Sequence, residues 1–136
     1  MASQTSSESD VLRICRDLIR IDTSNYGPGQ DGPGEREAAD YVVAQLREVG
    51  LDPQVFESDP GRTTVAVRIA GADRDRGALC IHGHLDVVPA HAEDWSVPPF
   101  AGEERDGCLW GRGAVDMKDM VAMMLACVRH LARTGT

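Results

Sequence analysis

Ala78-Leu79-Cys80-Ile81-His82-Gly83-His84-Leu85-Asp86 is the stretch that decides how this chain is read. Its first four residues are a continuous apolar run bounded by the charged turn Gly71 to Gly77, as expected of a central strand covered on both faces. The run leads straight into two histidines and a carboxylate. Residues two apart on a strand share a face, so His82, His84 and Asp86 are expected on one side of the strand end. Ligands commonly collect at the carboxyl ends of sheet strands. A single histidine beside a strand is ordinarily a satisfied core residue. Two histidines with an aspartate favour a metal role for His84, because a ligating imidazole tends to give its second N–H to a carboxylate.

Working outward, apolar positions Val11, Leu12, Cys15, Leu18 and Ile19 predict a helix from Val11 to Ile21, capped by Ser9 or Asp10. A loop rich in Gly and Pro, Asn25 to Gly34, separates it from a second helix, Glu35 to Val49, that stops at Gly50. Leu51 to Phe56 reads as a short strand with Pro53 marking an edge. Thr63 to Ile69 alternates as a half-buried strand. Val87 to Gly102 is irregular, Glu103-Glu104 reads as a solvated turn, and Cys108-Leu109-Trp110 is a brief strand. The final helix, about Met117 to Arg133, is apolar nearly all round, which predicts burial. This order predicts an α/β fold, a layered sheet flanked by helices.

The 136 residues suffice for one domain and would bury roughly 70% of their unfolded surface. A formal net charge of −8 argues against a nucleic-acid or anionic-membrane partner, which would call for clustered Lys and Arg. Cys15, Cys80, Cys108 and Cys127 are widely spaced and form neither a structural zinc pattern nor a disulfide framework. Cys80 and Cys127, in apolar runs, are expected as reduced core residues. The polar stretch Met1 to Asp10 lacks the features of a leader, and no run approaches a membrane span, so a cytoplasmic location is expected.

A second motif, Gly111-Arg112-Gly113-Ala114-Val115-Asp116-Met117-Lys118, places a carboxylate where a glycine-rich turn meets the last helix, together with the chain's only lysine. Two readings stand at Asp116. It sits where Asp is a preferred N-cap, with Asp119 completing a box-like arrangement. It is also a metal-ligand candidate, and one oxygen can cap while the other coordinates.

These motifs, with Ile21-Asp22-Thr23-Ser24, Gly32-Pro33-Gly34-Glu35, Gly83 to Pro89 and Trp95-x-x-Pro98-Pro99-Phe100, resemble the zinc-dependent exopeptidase family. Its members include aminoacylase, acetylornithine deacetylase, succinyl-diaminopimelate desuccinylase and glutamate carboxypeptidases. The resemblance runs through nearly all of the chain. It implies an N-terminal part, residues 1–136, of a zinc-exopeptidase-like catalytic domain. The rest of that domain and a lid or dimerisation domain would be absent. It implies His84 as a terminal ligand of one zinc, Asp116 as the carboxylate bridging two, and Asp86 as the catalytic aspartate that orients the ligand imidazole. His82 falls at a variable position and is assigned to packing or support. The Asp116–Met117 peptide is expected to be cis. Asp119 departs from the glycine common after the lysine, which bears on subgroup and leaves the metal role intact.

Two zinc ions per complete site are implied, with cobalt or manganese as substitutes. So is cleavage of the amide bond of an N-acyl amino acid or small peptide, by an enzyme that can be homodimeric. The glutamate base and remaining ligands would lie downstream of Thr136. Neither metal shell is filled by this chain, which is therefore expected to bind zinc weakly and to be inactive alone. A rival is a truncated, non-catalytic metal-binding or interaction module. Metallo-β-lactamase-like hydrolases share H-x-H-x-D but need a further His where Val87 stands.

Overall fold

A computed structural model describes residues 7–135. The polar stretch Met1 to Asp10 lies outside the described residues as far as position 6, and its last four residues are helical. Helix α1 spans Ser7–Arg20, α2 Arg36–Arg47 and α3 Lys118–Thr134. Strands β1 (Gln54–Asp59) and β2 (Arg62–Ala66) form one antiparallel pair, and β3 (Glu103–Arg105) and β4 (Cys108–Trp110) another. A single 3-10 turn, Ala92–Asp94, interrupts the irregular stretch between the pairs.

The core lies where α1 meets α3, with α2 closing one side. Ile14, Leu18 and Ile19 from α1 are wholly buried against Ala122 and Leu125 of α3 and Ala38, Val42 and Leu46 of α2. Each large side chain removed from water this way contributes about 1.5–3 kcal/mol. A buried polar cluster joins the same three helices. Asp10 accepts hydrogen bonds from Arg13 and Arg133, both at 3.1 Å, and lies 3.5 Å from Arg129, which is 1% exposed. Arg129 also donates to the Gln45 carbonyl and to Glu48. Asp10 is therefore the central anion of a buried network. The expectation that it caps α1 is wrong, because the helix already includes Ser7, about a turn earlier.

The turn between β1 and β2 docks on the start of α2, where the Glu35 amide donates to the Gly61 carbonyl at 2.8 Å. Arg62 pairs with the buried Glu35 carboxylate at 2.7 Å. Register runs from Gln54 opposite Ala66 to Asp59 opposite Arg62, with a shift between Glu57 and Asp59. Both strands are edges, in keeping with Pro53 immediately before β1.

The largest departure is at the expected central strand. Ala78 to Ile81 forms no strand, and Leu79 and Ile81 are 88% and 52% exposed. A central strand exists only through hydrogen bonds to neighbours on both sides. Among the described residues no other segment pairs with it, so its backbone stays irregular and its side chains meet solvent. What forms is a mixture of helices and two small antiparallel pairs. Cys80 and Cys127 are accordingly exposed rather than in the core, and Cys15 alone among the free cysteines is buried. Helix α3 buries one face, Val121, Ala122, Leu125 and Ala126, and exposes Met120, Met123 and Leu131. Its composition predicts burial all round, but α1 and α2 cover only one stripe. Glu103-Glu104 belongs to β3 rather than to a turn, and Glu104 pairs with Arg16.

Candidate metal centre

Three irregular segments converge beside the C-terminal end of α1. The first, Thr23 to Asn25, runs beside Leu85 to Val87 through one parallel bridge between Ser24 and Val87. Asn25 N–H donates to the Val87 carbonyl at 2.8 Å, Val87 N–H to Thr23 at 3.1 Å, and the Thr23 hydroxyl to the Leu85 carbonyl at 2.6 Å. The third segment is the Gly111-to-Met117 turn. Gly113 has φ +83°, and a Cβ there would lie 2.7 Å from Val87 Cγ1, so only glycine lets this turn close against the His84 segment. A Cβ on Gly111 would collide with Ile19 Cγ2. The glycines of the second motif thus seat the turn on the other two segments.

Lys118 locks that arrangement. Its side chain is fully buried, and Nζ donates to the Leu18 and Ile21 carbonyls, each at 2.8 Å. These are carbonyls at the C-terminal end of α1, where helices leave acceptors without partners. Burial pushes the ammonium down to about 8, against the opposing pull of Asp22. The sole lysine is thus a tether between α1 and α3.

His84 stands between two carboxylates. Nδ1 lies 3.0 Å from the Asp86 carbonyl and 3.2 Å from Asp86 Oδ1, and Nε2 lies 3.0 Å from Asp116 Oδ1. With the proton on Nδ1 donated to Asp86, Nε2 presents a lone pair to a carboxylate oxygen. Two acceptors at that separation need a shared cation, which a proton or a metal ion can supply. Two ligands on a tetrahedral zinc lie about 3.3–3.6 Å apart, given bond lengths near 2.0–2.2 Å, so the Nε2–Oδ1 pair at 3.0 Å is a few tenths of an ångström short of one edge of such a site. Burial works against the charged imidazolium, but the Asp86 carbonyl and the Asp116 and Asp86 carboxylates outweigh it and raise the His84 pKa. The Asp116 side chain is 86% exposed, so this pair contributes little to folding.

The structure therefore brings together His84, Asp86 and Asp116, and it leaves His82 exposed and outside the chain of hydrogen bonds. With no strand at 78–81, the expected shared face of His82, His84 and Asp86 does not exist. Asp116 is not an N-cap either: Met117 holds that position without a side-chain cap, and Asp119 accepts from the adjacent Met120 amide instead. The Asp116–Met117 peptide is cis, as the resemblance implies. Among the described residues no group of three His, Cys, Asp or Glu side chains is arranged to hold a metal, because Asp86 faces the far side of the ring.

The sequence alone does not single out Asn25. Its Nδ2 donates to Asp86 Oδ2 at 2.8 Å while its Oδ1 accepts from Gly27 N–H at 3.0 Å. Nothing local marks it, since its partner lies 61 residues on. Asn25, Tyr26, His84, Asp86, Arg112 and Asp116 are among the residues lining one cavity of about 390 Å³. No helix among the described residues is long and apolar enough to cross a membrane.

Comparison with known proteins places relatives along most of the chain. Residues 80–136, which carry both motifs, match the model of peptidase family M20/M25/M40. A succinyl-diaminopimelate desuccinylase of Gluconacetobacter diazotrophicus is 33% identical over 96% of this chain and 32% of its own length. The Methylobacterium radiotolerans enzyme of the same name is 39% identical over 92% of the chain and 31% of its own. The N-fatty-acyl-amino acid synthase/hydrolase PM20D1 of Xenopus tropicalis is 33% identical over 92% and 25% respectively. The chain thus spans about a quarter to a third of the length of these curated relatives. With its two motifs inside the matched region, the chain is similar to the M20/M25/M40 peptidase family over residues 80–136, and to hydrolases named as desuccinylases over nine-tenths of its own length.

Proposed function

We propose that residues 1–136 are part of the catalytic domain of a cytoplasmic, zinc-dependent hydrolase that cleaves amide bonds of N-acyl amino acids or small peptides. The observation that carries this reading is the His84 ring, fixed by Asp86 on one nitrogen and facing Asp116 with the other. The names of the relatives, a desuccinylase and an N-fatty-acyl-amino acid hydrolase, support the amide substrate class. In this reading His84 and Asp116 would hold one zinc, Asp116 would also serve a second, and cobalt or manganese could substitute. Bound zinc would supply Lewis-acid polarisation of the amide carbonyl and a lowered pKa for the attacking water.

The chain's own residues do the positioning. Asp86 keeps the proton on Nδ1, so that the Nε2 lone pair stays directed at the metal edge, and Asn25 holds Asp86 by its other oxygen. Lys118 and the two motif glycines hold the Asp116 turn against α1 and Val87. Two donors toward one ion and one toward another make a weak site, since a catalytic zinc ordinarily has three protein ligands. The 136 residues alone are expected to turn over no amide substrate.

Cobalt titration followed by visible absorption tests the metal reading. Saturable binding that falls at least ~10-fold in both His84→Ala and Asp116→Ala is expected. Binding unchanged in both variants would remove the site from these residues.

A further inference from the structure

Arg112 has no role in the site described so far, yet it lines the same cavity as His84, Asp86 and Asp116. Its backbone is fixed by the N–H bond to the Pro99 carbonyl at 2.7 Å, and the flanking glycines are packed against Ile19 and Val87. Its guanidinium lies over the Trp95 ring, with Cζ 5.1 Å from the centroid. Among the described residues that guanidinium makes no ion pair and no hydrogen bond, and its Nε is buried without a partner. Six other arginines, Arg13, Arg16, Arg36, Arg62, Arg129 and Arg133, are each paired with a carboxylate, and Arg20 donates to the Ala101 carbonyl. A desolvated N–H without an acceptor is costly. Stacking on an indole face orients a planar cation without using its hydrogen-bond donors.

We propose that Arg112 is the specificity residue that receives the carboxylate of the amide substrate, holding it beside the His84–Asp116 edge. The proposal rests on the hydrolase reading above and deepens it. A guanidinium fork matches a planar carboxylate with two parallel hydrogen bonds. Asp86 and Asp116 line the same cavity, so a monoanion meets less repulsion there than a phosphate dianion would. In an N-acyl amino acid the carboxylate is only three bonds from the scissile carbonyl carbon, a span that a cavity of about 390 Å³ accommodates. Trp95 and Arg112, which the motifs W-x-x-P-P-F and G-R-G carry separately, thus become one device: a platform and the cation it aims.

The test follows the Arg112 Nε–H signal by NMR in the ¹⁵N-labelled chain, assigned by its loss in Arg112→Lys. N-acetylglycine, its neutral amide and inorganic phosphate are titrated separately, with and without zinc. N-acetylglycine is expected to shift this signal saturably at a concentration at least ~10-fold below that needed for the amide. Arg112→Met is expected to abolish that preference in the chain's total binding. Equal responses to acid and amide, a stronger response to phosphate, or a preference surviving in Arg112→Met would overturn the proposal. If Arg112→Met fails to fold, the wild-type signal decides alone. The metal reading fails separately, through the cobalt titration, because the metal-free response at Arg112 does not require it.

Discussion

The three-helix body and the segment 77–84 have similar apolar content and opposite fates. Ile14, Leu18 and Ile19 are fully buried because α1 meets α2 and α3 along a stripe of matching side chains. Leu79 and Ile81 are exposed because a strand, unlike a helix, cannot satisfy its backbone from within itself. The candidate centre is assembled across this divide. Asp116 arrives on a turn clamped by Lys118 and two glycines, whereas His84 arrives at the end of the exposed segment, beside the Thr23–Leu85 hydrogen bond. Half of the His84–Asp116 pair is held by the body, and half hangs from a backbone whose strand is unformed.

The comparison breaks most readily at Asp10, where the largest effect is expected. Asp10→Ala leaves the buried Arg129 with only the exposed Glu48 carboxylate and removes a partner from Arg13 and Arg133. A loss of about 3–5 kcal/mol is expected, read as a lower denaturant midpoint. Burial pushes the Asp10 pKa up, but the hydrogen bonds from Arg13 and Arg133 and the charge of Arg129 outweigh it, leaving a pKa below the ordinary 3.8. A carboxyl depressed in the folded state contributes stability that is complete above its unfolded pKa and lost as pH falls through its folded one. Stability should therefore fall below about pH 4 in the native chain and less steeply in Asp10→Ala. A loss under about 1 kcal/mol would show that the cluster does not clamp the helices.

A smaller effect distinguishes the clamped turn from the exposed segment. Gly113→Ala puts a Cβ 2.7 Å from Val87 Cγ1 at φ +83° and is expected to cost about 1–3 kcal/mol. It should also weaken cobalt binding by displacing Asp116. Gly77→Ala meets nothing within 4 Å and is expected to change stability by less than about 0.5 kcal/mol. Thermal unfolding of the pair reads the difference, and equal costs would show that 77–84 is as well packed as the turn.

The helices are legible in the sequence because their 3.6-residue periodicity is local information, and the boundaries at α2 and α3 agree to within two residues. The run Ala78 to Ile81 reads as a strand for an equally sound reason, but strand formation depends on partners that periodicity does not contain. Asp10 looks like a cap because capping is a local rule, while its three arginine partners include two lying more than 100 residues away. His84, Asp86 and Asp116 stand out through their motifs, and the cis peptide after Asp116 follows from the resemblance. Asn25 and the Arg112–Trp95 pair stay hidden because each acquires meaning only from a contact across the fold.

Thiol chemistry gives the smallest perturbation and the most direct reading of the divide. Cys15 is 5% exposed, and burial, reinforced by the charge of Asp119, raises its thiol to about 11 against a weaker opposing effect of Lys118. At pH 8 only about one such group in a thousand is thiolate, the reactive form, and it is also shielded by the core. Cys80, Cys108 and Cys127 are exposed and free. A disulfide reagent at pH 8 is therefore expected to label three cysteines rapidly and the fourth only at the rate at which α1 opens from α3. Cys80 is the informative member, because it sits in the segment whose strand is unformed. Fast labelling of Cys80 means solvent reaches the approach to His84, whereas protection equal to that of Cys15 would mean the segment is covered and the contrast between the two regions fails.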